Sequence, residues 1–245
     1  MARRPTPRRT PAAAPRATSR AQAGPASAVP GKSDRERVIA AFMDLLAEKP
    51  FEDIGFAEIA SSAGVSLAQL RDLFGSSLSI LGAHMKEVDR QVLAGSDADM
   101  ADEPPRERLF DVLMRRIELL EPHKEAIRSL LHSASRNPGL ALALNSLGVR
   151  SQQWMLTAAD ISSSGPKGMV RSQGLALLFA SVLRTWLDDI DPASARTLAA
   201  LDRALARGQR WSGFLDDLCS VPARFCRGRS RRRRRRDLDE DTMAA

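Results

Sequence analysis

Ser66, Leu67, Ala68, Gln69 and Arg71 fall within six consecutive residues and together carry the chemistry of base and phosphate recognition. Gln pairs with an adenine edge, Arg with guanine or phosphate, and Leu or Ala meets a thymine methyl. On a short helix opened by Ser66, these side chains lean toward one groove. Ser66 to Gln69 also has the form of a capping box. The plainer alternative is that Gln69 only closes that box and Arg71 is a solvated charge. No other group is spaced for chemistry. His84, His123 and His132 fall on different predicted helices, with no matching Cys or carboxylate spacing. Cys219 and Cys226 fit no zinc pattern, and a disulfide between them stays open. There is no phosphate-binding Gly loop and no nucleophile setting. The expectation is a protein that is not an enzyme and uses no cofactor or metal.

The elements that would position these residues are helical. Ser33-Asp34-Arg35-Glu36 forms a capping box, followed by Val38, Phe42, Leu45 and Leu46 on one helix face; Lys49-Pro50 stops it. A second helix fits Phe56 to Ala63, with Phe56, Ile59, Ala60 and Ala63 inward, and Gly64 suits the left-handed turn after it. The third helix turns Leu70, Leu73 and Phe74 inward. A fourth carries Leu78, Leu81, Met85, Val88 and Val92. Two short helices around a glycine, with small Ala60 and Ala63 at the crossing, have the layout of a helix-turn-helix. In that motif the second helix enters the major groove of double-stranded DNA.

The remainder reads as a helical bundle. After a linker at 95–105, helical patterns cover 106–121, 123–135, 140–161, 168–188 and 193–218, with a loop at 162–166. Met114, Ile117, Leu131, Trp154 and Met155 are candidates to line a pocket for a small apolar effector; plain core is the alternative. Phe179, Leu183, Trp186 and Leu187 form one apolar stripe, and Leu198, Leu201 and Leu205 another. Two such helices per chain suit a four-helix homodimer interface.

The net charge of +7 divides unevenly: residues 1–33 carry +7, residues 224–245 carry +5, and residues 34–223 are left with −5. The Pro-, Ala- and Arg-rich stretch 1–32 lacks apolar bulk and reads as disordered. So does the tail 224–245, with its Arg231–Arg236 run and acidic end, which is either a DNA-binding arm or a non-specific charge tail. No apolar run approaches the roughly 18 residues a membrane span needs. A basic start without a hydrophobic stretch is not a secretory signal, although its composition also imitates an organelle transit peptide. The expected location is the cytoplasm.

The stretch RERVIAAFMDLLAEKPFEDIGFAEIASSAGVSLAQLRDLF, residues 35–74, resembles the N-terminal domain of the TetR family of transcriptional regulators. The first-helix pattern, AEKPF at 47–51, IASSAGVS at 59–66, and Leu70 with Phe74 carry the likeness. It implies an all-α protein in four parts: a basic tail at 1–32, a DNA-binding domain at 33–94, a ligand-binding and dimerising body at 95–223, and a second tail at 224–245. It implies a ligand-responsive repressor that acts as a homodimer. It adds Gly55, where the family has Ser or Thr, and Ser77, where it has Lys, to the candidate DNA contacts. Arg71 stands where the family has Tyr and can supply a phosphate contact itself. Residues 34–94 hold six bases against ten acids, an unfavourable balance for approaching phosphate. A second reading follows from it: a TetR-like fold that no longer reads DNA and binds lipid or protein. The stretch from Thr185 to Arg203 resembles ubiquinone-biosynthesis accessory proteins of that kind.

Overall fold

Ser33 opens the first helix by a reciprocal cap: its Oγ accepts from the Glu36 N–H at 3.3 Å, and its own N–H donates to the Glu36 carboxylate at 2.7 Å. The computed structural model describes residues 33–95, 100, 102–191 and 193–208. Among these residues every regular element is helical, as the composition requires. The helices are α1 (Asp34–Glu48), α2 (Phe56–Ala63), α3 (Leu67–Leu73), α4 (Ser77–Ala94), α5 (Pro105–Leu120), α6 (Lys124–Arg136), α7 (Pro138–Ala158) and α8 (Gly165–Leu187). A further helix, α9, covers 195–208. Both terminal tails, Cys219, Cys226, the Arg231–Arg236 run and residues 209–218 of the last expected helix lie outside the described residues.

Two boundaries differ from the periodicity by three residues. α7 stops at Ala158 rather than 161, because Asp160 takes the left-handed conformation at φ 56°. The Ile161 N–H then returns to the Leu156 carbonyl at 2.8 Å and the Asp160 N–H to Thr157 at 3.0 Å, closing the helix end. α8 starts at Gly165, inside the expected loop, because Pro166 fits a first helical turn that needs no N–H from it.

The apolar side chains form two clusters. One joins α1 to α4 through Val38, Phe42, Leu46, Ile59, Leu70 and Ile80. The other fills the body through Leu113, Ile117, Met155, Phe179, Trp186 and Leu201. α6 serves both: Ala126 and Leu130 belong to the first, Ile127 to the second, with Leu131 packed against it. Phe56 departs from its expected inward position and is 49% exposed, whereas Ile54, two residues earlier, is buried in the first cluster.

The second cluster is locked at its edges by cations on helix ends. Arg128 Nη2 donates to the Leu187 carbonyl at 2.5 Å, and Lys124 Nζ to the Asp189 carbonyl at 3.0 Å. Both satisfy carbonyls near the C-terminal end of α8, where positive charge is favoured. Trp186, wholly buried, donates its Nε1–H to Glu121 at 2.8 Å.

Candidate nucleic-acid interface

Gly64 makes the turn between α2 and α3. Its φ of 64° is a conformation that costs a side-chain-bearing residue energy but costs glycine little. The Val65 N–H reaches back to the Ala60 carbonyl at 3.0 Å. The chain is thereby redirected within two residues, and Ser66 starts α3. Ser66 Oγ accepts from the Gln69 N–H at 3.2 Å, and the Ser66 N–H donates to Gln69 Oε1 at 2.8 Å. Leu70 and Phe74 bury against α1 and α2, which leaves Leu67, Ala68, Gln69 and Arg71 exposed on the outer face of α3.

The polar ends of that face are partly engaged. Gln69 Oε1 is used by the cap, while its Nε2 donates to Asp34 at 3.5 Å. Arg71 Nη1 donates to the Gly75 carbonyl at 3.2 Å, which brings the guanidinium beside the start of α4. Arg35, on α1, lies 4.7 Å over the Phe74 ring. Two guanidinium groups therefore flank the turn between α3 and α4. Ser77 is the first residue of α4, and a helix start offers N–H groups without helical partners and a favourable field for an anion. Gly55, exposed, precedes α2 without a side-chain cap.

The segment between α1 and α2 is held by α6. Ser129 Oγ donates to the Lys49 carbonyl at 2.9 Å, at the end of α1, and the Phe51 N–H donates to Ser133 Oγ at 3.1 Å. Lys49 also pairs with Glu58 on α2.

The residues expected to line a pocket divide. Ile117 and Met155 are buried in the body core, and Met114 and Leu131 pack against it. Trp154 does not join them: it is 58% exposed, turned about 100° around α7 from Met155. The expected dimer stripes also turn inward. Phe179, Trp186, Leu187, Leu201 and Leu205 are buried within the single chain, and Leu183 and Leu198 are half-buried. Five of these seven side chains are covered by their own body, and Leu183 and Leu198 keep part of their surface outside. The outward apolar residues of α8 are instead Met169, Val170 and Leu177.

A polar layer inside the body had no signature in the periodicity. Asp89 on α4 pairs with Arg116 on α5, and Ser151 Oγ on α7 donates to the same Asp89 oxygen at 2.7 Å. The Arg116 guanidinium lies 5.5 Å over the Phe179 ring. His84 and His123 meet edge to face with ring centres 4.7 Å apart. Burial, then the charges of His123 and Arg116, lowers His84 to about 4, against a smaller opposing pull from Glu87. These residues hide in the sequence because each sits at a position that reads simply as a helix interior with a polar letter.

The fold is similar to that of the TetR transcriptional regulator from Nitrosomonas europaea ATCC 19718, at 20% sequence identity and a TM-score of 0.57, over 73% of this chain and 99% of that one. A TetR transcriptional regulator from Rhodococcus sp. RHA1 is similar at 22% identity and a TM-score of 0.50, over 71% of this chain and 95% of that one. No family model and no curated protein matches the sequence. The chain thus has the all-α fold of TetR-type regulators, as the likeness of residues 35–74 implied.

Proposed function

We propose that this protein is a cytoplasmic DNA-binding transcriptional regulator, a repressor that works as a homodimer and responds to a small effector. The observation that carries the reading is the turn at Gly64, which sets an exposed Leu67, Ala68, Gln69 and Arg71 on a helix anchored by buried Leu70 and Phe74. Residues 33–94 act as the reading domain and 95–223 as the body. Gln69 and Arg71 address the groove, and Ser77 with Arg71 addresses phosphate. A dimer would present two such helices about 34–36 Å apart, one turn of DNA. The exposed Met169, Val170 and Leu177 of α8 support the dimer. An effector acts by binding one arrangement of the body better than another, which shifts the spacing of the two helices.

The basic tails supply what the acidic folded part lacks. A salt titration on cognate and scrambled DNA tests this. Fragments are first selected from random DNA by the purified full-length protein and sequenced. Deleting 1–32 and 227–245 should flatten the log–log salt slope by about 0.9 per lost phosphate contact while site preference survives. Selection that returns no common sequence would sink the regulator reading.

One observation favours a second reading, in which the fold binds lipid or protein and no longer reads DNA. The Arg71 guanidinium is drawn onto the Gly75 carbonyl and Gln69 is taken up by its cap, in a segment with four more acids than bases. Failure of the DNA selection together with binding to vesicles would establish it.

A further inference from the structure

Gln69 is held by more than its cap. Its Oε1 accepts the Ser66 N–H at 2.8 Å, and its Nε2 donates to Asp34 Oδ2 at 3.5 Å, across 35 positions of sequence. The other oxygen of Asp34 accepts from Arg37 Nη2 at 2.7 Å. Arg37 in turn lies against the turn between α2 and α3: its Nη1 is 4.0 Å from where a Cβ on Gly64 would stand. The first turn of α1 is thus tied to the start of α3 through one carboxylate, and both ends of the Gln69 amide are engaged.

A glutamine singles out adenine by a paired contact, in which its N–H donates to N7 and its oxygen accepts from the N6 amino group. That grip needs the nitrogen and the oxygen side by side at the base edge. Here the oxygen is turned to the Ser66 backbone and the nitrogen to α1. An amide nitrogen has two hydrogens, so one N–H remains to offer. A lone N–H meets the acceptors of adenine, guanine and thymine alike, and so discriminates poorly among them. We infer that Asp34 is a positioning residue for base choice: it withholds the Gln69 amide from the paired adenine contact. Specificity then falls to Arg71, Leu67 and Ala68. This role rests on the DNA-reading part of the proposed function and adds to it a residue outside the helix that enters the groove.

The test selects sequences from random DNA with the full-length protein and with its Asp34→Ala and Asp34→Asn variants. Both variants lose the charge, but Asn keeps an acceptor for Gln69 Nε2, so the difference between them isolates the hydrogen bond. Asp34→Ala should enrich adenine at one position of the selected sequence by about fivefold or more, the discrimination that a paired contact brings. Asp34→Asn should keep the parent's preference there. Adding Gln69→Ala to Asp34→Ala should abolish the enrichment. Asp34 is the first residue of α1, a position that accepts proline, so Asp34→Pro serves if Asp34→Ala fails to fold. The same base preference in parent and Asp34→Ala, or equal enrichment in Ala and Asn variants, would overturn the role of Asp34 and leave the regulator reading in place. Selection of no common sequence by any of the proteins would overturn both.

Discussion

The backbone N–H of Phe51 donates to the hydroxyl of Ser133 at 3.1 Å, joining residues 82 positions apart. Ser133 is buried, so the N–H that it satisfies is shielded from water. Ser133→Ala should therefore destabilise the protein by about 1–3 kcal/mol, more than the loss of a hydroxyl at an exposed site. Urea denaturation checks this, with the midpoint falling and the slope unchanged. A midpoint equal to that of the parent would show that the bond contributes nothing.

The Asp89–Arg116 pair should behave asymmetrically. Asp89→Leu alone strands a buried guanidinium and is expected to cost about 3–5 kcal/mol, as is Arg116→Met for the carboxylate. The double substitution should cost far less than the two added together. Thermal unfolding of the four proteins gives the coupling energy. Additive losses would mean that the two charges do not depend on each other.

Acid should weaken the protein in a window set by histidine. The unfolded chain protonates His84 near pH 6.5, whereas the folded chain does so only near pH 4. Burial lowers His123 in the same direction, and Asp44 opposes it. The folded state takes up fewer protons between these values. Stability is thus full above pH 6.5, falls as pH drops toward 4, and loses nothing more from His84 below that. The hydrogen-bonded carboxylates Glu87 and Asp189 are also lowered, and their losses begin only in more acidic solution. His84→Leu should flatten the dependence between pH 6.5 and 5 in stepped urea titrations. Parallel curves for variant and parent would assign the slope to other groups.

Leu177, 61% exposed on α8, tests assembly without touching the core. If the proposed dimer forms through this face, Leu177→Glu should shift light-scattering mass from dimer to monomer while the circular dichroism spectrum stays that of the parent. An unchanged dimer would move the interface off this face.

The head of the molecule was legible because local chemistry decides it. Ser33 and Ser66 cap as their spacing dictates, Gly64 takes the left-handed turn, and Leu70 and Phe74 go inward. The body was legible in its helices but not in its faces. Periodicity marks the apolar side of α8 without saying whether its cover is the same chain or another. Phe179 and Trp186 turned out to be covered at home, and Leu177 was left outside. Trp154 misled for a related reason: a large aromatic next to a buried methionine reads as core, yet neighbours on a helix point about 100° apart. The Asp89–Arg116–Ser151 contact joins residues 27 and 62 positions apart, a separation no local pattern reports.

α6 has consequences for anyone who would treat residues 33–94 as a transplantable part. Its Ala126 and Leu130 complete the core of residues that come some forty to ninety positions earlier, and Ser129 and Ser133 satisfy the backbone after α1. Cut after residue 94, the head loses a wall as well as a tether. It should survive as a graft only if α6 travels with it, or if the side of α1 that α6 covers is rewritten in polar residues.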